Sequence, residues 1–77
     1  MKKTNILSCE KNIYYKILKI DCDEKMKKRL TEVGVIENQK IKILAESFGK
    51  KSLLIEVMGI RIAIDKNVGE KIIISYE

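Results

Sequence analysis

The apolar residues of the chain follow two different periods. From Ile13 to Ile20, apolar and aromatic residues alternate with lysines, and one interruption of the alternation predicts a strand with a β-bulge. Met26, Leu30 and Val33 then recur at spacings of four and three, as on one face of a helix. After Gly34 the period becomes two. The pattern therefore predicts one helix between a first strand and several later strands.

The predicted helix has a start signal and a stop signal. Asp21 and Asp23 carry carboxylates that can accept hydrogen bonds from the free amides of a helix start, and Glu24 follows Asp21 at the capping-box spacing. Gly34 can adopt the positive φ of the residue that ends a helix. Because about three turns of helix do not persist alone in water, the apolar face must pack on a sheet.

Four later strands are predicted from alternation of period two. Their inward residues are Ile41 and Ile43, then Leu53, Ile55 and Val57, then Ile60, Ile62 and Ile64, and finally Ile72 and Ile74. Residues 47–51 are predicted as a hairpin loop, and Met58-Gly59 as a tight turn between two strands. Residues 65–70 are polar and are predicted to hold a single 3₁₀ turn.

This order of elements predicts a mainly β fold. The chain has 77 residues, enough for one domain over residues 1–77 and no more. We expect a small β-barrel of five strands with one short α-helix after the first strand. Closure of the barrel would remove the exposed sheet edges that so short a chain cannot otherwise cover.

The composition excludes much enzyme chemistry. The chain has no histidine, the side chain most often used for proton transfer near neutral pH. Cys9 and Cys22 have no nearby cysteine partner, and we interpret them as reduced thiols. The acidic residues at 21–24 are better explained as a helix cap than as a cation site. We predict no catalytic residues, no cofactor and no metal site.

The start of the chain predicts its location. Residues 1–5 are basic and then polar, and only Ile6 and Leu7 follow as an apolar pair. This is far shorter than a secretion signal or a membrane span, so we predict a cytoplasmic protein.

The chain has a net charge of +5, and its strongest cluster of positive charge is on the predicted helix, at Lys25, Lys27, Lys28 and Arg29. These residues form either a solvated surface, with Lys28 four residues before Glu32, or a docking face for an acidic partner, where charge speeds encounter. Phosphate binding is the third interpretation. Because only 5% of residues are aromatic, base stacking has few candidates, and no nucleic acid is expected.

Two stretches of the chain resemble the FeoA family. Residues 28–35, KRLTEVGV, followed by residues 39–44, are similar to the family's arginine-leucine, variable pair, leucine-glycine signature and the strand after it. Residues 54–64 resemble its hairpin, and residues 72–74 its closing strand. Asn12 and Asn38 stand where the family often has turn glycines, and asparagine can adopt the same positive φ. Val33 replaces a frequent leucine and keeps the helix face apolar.

The resemblance implies an SH3-like barrel that works with the FeoB ferrous iron transporter at its cytoplasmic GTP-binding portion. It implies no enzyme activity and contact with the membrane only through the transporter. We predict that Lys27, Lys28 and Arg29 steer the partner and that Met58 and Arg61 are hairpin contacts.

Two alternatives use the same sequence features. The first is a small basic barrel that binds nucleic acid, as the lysine runs suggest. The second is a weak homo-oligomer, because four apolar residues fall on the outward side of the predicted strands, namely Leu44, Leu54, Met58 and Ile73.

Overall fold

A computed structural model describes residues 2–47, 49 and 51–76. The elements in chain order are β1 (Lys2–Asn5), a 3₁₀ turn (Ile6–Ser8), β2 (Tyr14–Ile20), α1 (Glu24–Glu32), β3 (Lys40–Glu46), β4 (Ser52–Val57), β5 (Ile60–Asp65), α2 (Lys66–Gly69) and β6 (Ile72–Tyr76). Phe48 and Lys50 of the predicted hairpin loop lie outside the described residues. At the base of that loop, the Ser52 amide donates to Ser47 Oγ at 2.9 Å.

The described strands form one antiparallel sheet of six strands in the order β1-β6-β2-β3-β4-β5. The prediction of five strands is wrong because residues 2–5 pair with β6, Lys3 opposite Ser75. This segment, KKTN, has no apolar alternation, and it is placed in the sheet by antiparallel pairing with β6. The helix α1 therefore follows the second strand rather than the first.

The two edge strands, β1 and β5, are not joined by a ladder among the described residues. The 3₁₀ turn after β1 and the helix α2 after β5 instead pack together. A β-carbon built on Gly69 would lie 3.0 Å from Leu7 Cδ2 and 3.5 Å from Ile6 Cγ2. Packing between the 3₁₀ turn and α2 thus covers part of the gap between β1 and β5. The predicted barrel would close this gap with backbone hydrogen bonds. The predicted 3₁₀ turn at residues 65–70 is the short α-helix α2.

The core confirms most of the predicted alternation. The buried apolar side chains are Ile6, Ile17, Ile20, Leu30, Val35, Ile41, Ile43, Leu53, Ile55, Val57, Ile64, Ile72 and Ile74. The exception is β5, where Ile64 is buried but Ile60 is 51% exposed. Ile60 is the residue of β5 nearest the turn, and because β5 is an edge strand it has a neighbouring strand on one side only, opposite Val57.

The predicted bulge in β2 is present. The register of β2 against β6 shifts between Ile17 and Lys19. Ile17 and Ile20 are consequently both buried although they are three positions apart, while Lys16 and Lys19 are both exposed. The bulge explains why simple alternation fails in this segment.

Both ends of α1 lie where they were predicted, but the Asp21–Glu24 capping box is wrong, because the N-cap is Asp23 and Glu24 is the first helical residue. Asp23 is the N-cap, and its carboxylate accepts from the Met26 amide at 2.8 Å. At the other end, Gly34 has φ +95°, and the Val35 and Gly34 amides donate to the carbonyls of Leu30 and Thr31. These two bonds form a Schellman motif, which satisfies carbonyls that the last turn leaves free.

Candidate partner-binding surface

The turn between β4 and β5 has a backbone conformation that a methionine rarely adopts. Met58 has φ +53° and Gly59 has φ +78°, so both central residues are left-handed, as in a type I′ hairpin turn. Such turns favour asparagine, aspartate or glycine, and a bulky residue with positive φ is uncommon. The predicted turn is confirmed, and it holds Met58 in a strained conformation with 63% of its surface exposed.

The turn lies against the end of α1. A β-carbon built on Gly34 would lie 3.0 Å from Met58 Sδ and 3.8 Å from Val57 Cγ1. Because glycine has no β-carbon, the methionine side chain can rest on the helix end. Ile60, the first residue of β5, adds a second exposed apolar side chain. We refer to Gly34, Met58, Gly59 and Ile60 as the tip surface.

The basic residues of α1 lie between one and two helical turns before Gly34 along the chain. Lys28 and Arg29 are exposed and Lys27 is half-buried. Arg29 precedes Gly34 by five residues, which corresponds to roughly 7 Å along a helix axis. The structure therefore places Met58 beside the helix that carries the predicted steering residues.

Arg61 is not part of this arrangement. It lies on the outer face of the sheet, opposite Glu56 in the register of β4 and β5. Its Nε is 3.8 Å from Glu56 Oε1. We therefore assign Arg61 to a polar row on the outer face rather than to the tip surface, and its partner-binding role stays a prediction.

Glu56 is the centre of that polar row. Tyr14 Oη donates to Glu56 Oε2 at 2.6 Å, and Lys42 Nζ lies 3.7 Å from the same oxygen. The lysine also lies 4.5 Å from the centroid of the Tyr14 ring. The hydrogen bond from Tyr14, followed by the charges of Lys42 and Arg61, lowers the pKa of Glu56 below its ordinary value of 4.5. The row ties together β2, β3, β4 and β5.

Replacing Tyr14 with phenylalanine is expected to raise the pKa of Glu56 toward 4.5, because its strongest stabilising hydrogen bond is lost. A carboxyl group with a lowered pKa stabilises the fold above its unfolded pKa, and this contribution is lost as pH falls through the lowered value. An NMR pH titration of the Glu56 carboxyl carbon measures the shift. Tyr15→Phe is the matched control, since Tyr15 Oη accepts from the Glu10 amide instead. An unchanged titration in Tyr14→Phe would contradict the assignment.

Neither thiol is activated as a nucleophile. Burial raises the pKa of Cys9 to about 11. Partial burial, followed by the neighbouring carboxylate of Asp23, raises the pKa of Cys22. Both thiols are therefore protonated at neutral pH, while nucleophiles and metal ligands are thiolates. Within the described part of the chain, no three cysteine, aspartate or glutamate side chains are grouped to hold a metal ion.

The exposed apolar residues differ in part from those predicted. Leu54 and Met58 are exposed, whereas Leu44 and Ile73 are half-buried. The structure adds Ile13, Tyr14 and Ile60, which the sequence assigned to strands without marking them as exposed. Ile13 and Ile60 lie near a turn or a strand end, and this position was the sequence signal that could have predicted their exposure. In residues 2–47, 49 and 51–76, neither helix has the length and apolar character needed to cross a membrane.

The fold is similar to several solved structures. A FeoA-like protein from Clostridium acetobutylicum aligns with a TM-score of 0.84 at 15% identity, over 97% of this chain and 87% of the other. FeoA from Stenotrophomonas maltophilia, solved with zinc and described as a prokaryotic SH3 domain protein, gives 0.75 at 14% identity, over 94% and 89%. A manganese-dependent transcriptional repressor gives 0.86 at 12% identity, over 97% of this chain but 41% of the repressor. These likenesses show an SH3-like fold.

Two further comparisons concern sequence. No curated protein sequence matches the chain. The sequence profile described as the FeoA domain matches residues 8–76, which is most of the chain.

Proposed function

The chain belongs to the FeoA family, which is associated with ferrous iron transport, and we propose that it is a non-catalytic accessory protein that binds the cytoplasmic GTP-binding portion of a FeoB-type membrane transporter. The proposal goes beyond the family assignment in naming the partner, the cytoplasmic location and the surface used. One observation carries the choice of surface: an exposed methionine is held in a left-handed turn against the glycine that ends α1.

The stability of the fold does not explain why a strained apolar residue occupies an exposed turn. Asparagine at position 58 would suit the turn better, because Asn-Gly is the favoured type I′ pair. Strain at a single residue is of order 1–3 kcal/mol and is concentrated at functional positions. Methionine is flexible and polarisable, so it adapts to a partner's surface. Met58 and Ile60 together offer the apolar centre of a small interface, with the polar groups of α1 at its rim.

The basic residues of α1 supply orientation in this proposal. Lys28 and Arg29 are exposed on the helix that ends at the tip surface, and they would face acidic groups of the partner. Rim charges of this kind alter the rate of association and its dependence on salt more than they alter affinity. The protonated thiols and the lack of histidine support a binding role rather than catalysis.

Reversing two of these charges should slow association with the isolated GTP-binding portion. We expect Lys28→Glu with Arg29→Glu to lower the association rate constant roughly tenfold at low ionic strength, and the difference should shrink above about 0.1 M salt, where the Debye length is about 10 Å. Stopped-flow mixing at several salt concentrations measures the rate. Lys51→Glu with Lys66→Glu is the control, since both residues are exposed and lie outside α1 and the tip surface. Equal rates in the two double variants would remove α1 from the interface.

A further inference from the structure

Three adjacent strands of the sheet are strongly basic. The strands β1, β6 and β2 carry four lysines and no carboxylate, and their lysines are Lys2, Lys3, Lys16 and Lys19. The next strand, β3, begins with Lys40. This basic region lies on strands rather than on α1, and the proposed binding of a transporter does not use it.

Three of these lysines form a row across the outer face. In the sheet register, Lys3 is opposite Ser75, Ser75 is opposite Lys16, and Lys16 is opposite Lys40. All three lysines are exposed. We refer to Lys3, Lys16 and Lys40 as the lysine row. The bulge in β2 also turns Lys19 to this face, opposite Ile73.

The lysine row is unfavourable for the isolated protein. Lys16 and Lys40 are directly opposite on neighbouring strands, where β-carbons are about 5 Å apart and like charges destabilise the pair. The salt bridges among the described residues involve Glu56 with Lys42 and Arg61, and none reaches the lysine row. A negatively charged ligand would relieve this repulsion.

We propose that the lysine row contacts the anionic headgroups of a phospholipid bilayer. Lysine is a compact point charge that suits diffuse negative charge, whereas recognition of single phosphates favours the fork of arginine. Tyr14, an exposed aromatic residue of this face, is bonded to Glu56 and lies under Lys42, so it is not free to stack on a base. This proposal rests on the proposed function, because a protein bound to a transporter is held at the membrane surface. There each lysine adds to the attraction within a Debye length of the headgroups.

Sedimentation with lipid vesicles tests the proposal. The full chain is mixed with vesicles of phosphatidylglycerol and phosphatidylcholine in equal parts, and with vesicles of phosphatidylcholine alone. The test variant carries Lys3→Gln, Lys16→Gln and Lys40→Gln. The control carries Lys51→Gln, Lys66→Gln and Lys71→Gln at exposed positions outside the row, so that both variants have a net charge of +2 in place of +5.

We expect the test variant to lose roughly 100-fold in apparent affinity for the anionic vesicles at low salt, and the control to lose about threefold or less. Equal losses in both variants would overturn the proposal, since net charge alone would then explain binding. Two other results would also overturn it: equal binding of the native chain to the uncharged vesicles, or displacement from anionic vesicles by a lower concentration of single-stranded DNA than of competing anionic lipid.

A parallel titration with the isolated GTP-binding portion separates this proposal from the proposed function. A variant with only Lys3→Gln and Lys16→Gln is expected to bind that protein as tightly as the native chain does, because β1 and β2 do not carry the tip surface. Row-dependent vesicle binding without any binding to the GTP-binding portion would overturn the proposed function and still support membrane contact.

Discussion

Replacing Met58 with asparagine is expected to lower affinity for the transporter's GTP-binding portion by about 10- to 100-fold, with no loss of stability. The size of the effect is that of removing an apolar anchor from the centre of an interface. Stability should be kept or raised, because Asn-Gly suits the left-handed conformations that Met58 and Gly59 adopt. Isothermal titration calorimetry measures the affinity, and thermal unfolding measures the stability.

Leu54→Thr is the matched control for this change. Leu54 is also an exposed apolar residue, at 36%, but it lies on the outer face of β4, away from the turn. Threonine suits a strand, so the fold should tolerate it. The control should keep full affinity and should restore ferrous iron uptake in cells that lack the gene, whereas Met58→Asn should not. Full affinity in Met58→Asn would remove the tip surface from the proposed interface.

Truncating Ile55 to alanine is expected to destabilise the fold by about 2–5 kcal/mol, the range for deleting a large aliphatic side chain from a core. Ile55 is completely buried in β4, opposite Ile43 on one side and Ile62 on the other. Since a domain of this size has a total stability of roughly 4–12 kcal/mol, the variant should be partly unfolded near body temperature. Denaturation in urea, followed by circular dichroism, gives the free energy of unfolding.

Ile60→Ala is the corresponding control for stability. It removes the same atoms from the neighbouring strand, but at a position that is 51% exposed. The expected change is below about 1 kcal/mol, as for most surface substitutions. If both variants lost the same stability, Ile60 would have to be buried in solution, and its assignment to the tip surface would be wrong.

The inward side chains of β3, β4 and β6 were predictable because burial on one face of a strand repeats every second residue. Both ends of α1 were predictable as well, since Asp23 and Gly34 act on amides and carbonyls within a few residues of themselves. The left-handed conformations of Asn12 and Asn38, at φ +64° and +75°, follow from the same local chemistry.

The strand β1 was not predictable in this way. Residues 2–5 have no apolar pattern, and they are extended because the free edge of β6 offers hydrogen bonds. The position of a free sheet edge depends on the whole sheet. No local sequence pattern therefore predicts which segment will pair with that edge. The misassigned number of strands and the position of α1 both follow from this one missed segment.

The sequence shows which residues of the candidate surfaces are basic or apolar, but it does not predict which of them lie next to each other in the fold. Met58 was singled out as a turn residue, yet its contact with Gly34 depends on how the hairpin folds back over the end of α1. Arg61 was grouped with Met58 as a hairpin contact, but in the sheet register it lies opposite Glu56 on the outer face.

The local sequence pattern therefore predicted the helix, its ends, the tight turn and the inward side of most strands, because each of these depends on neighbours within about one turn or one strand. The tertiary structure decided that Lys3, Lys16 and Lys40 share a row, because strand register and the bulge in β2 set which distant residues lie opposite each other. It also brought the strained methionine to the helix end. Both surfaces proposed for binding are products of long-range pairing, which no periodic pattern in the chain encodes.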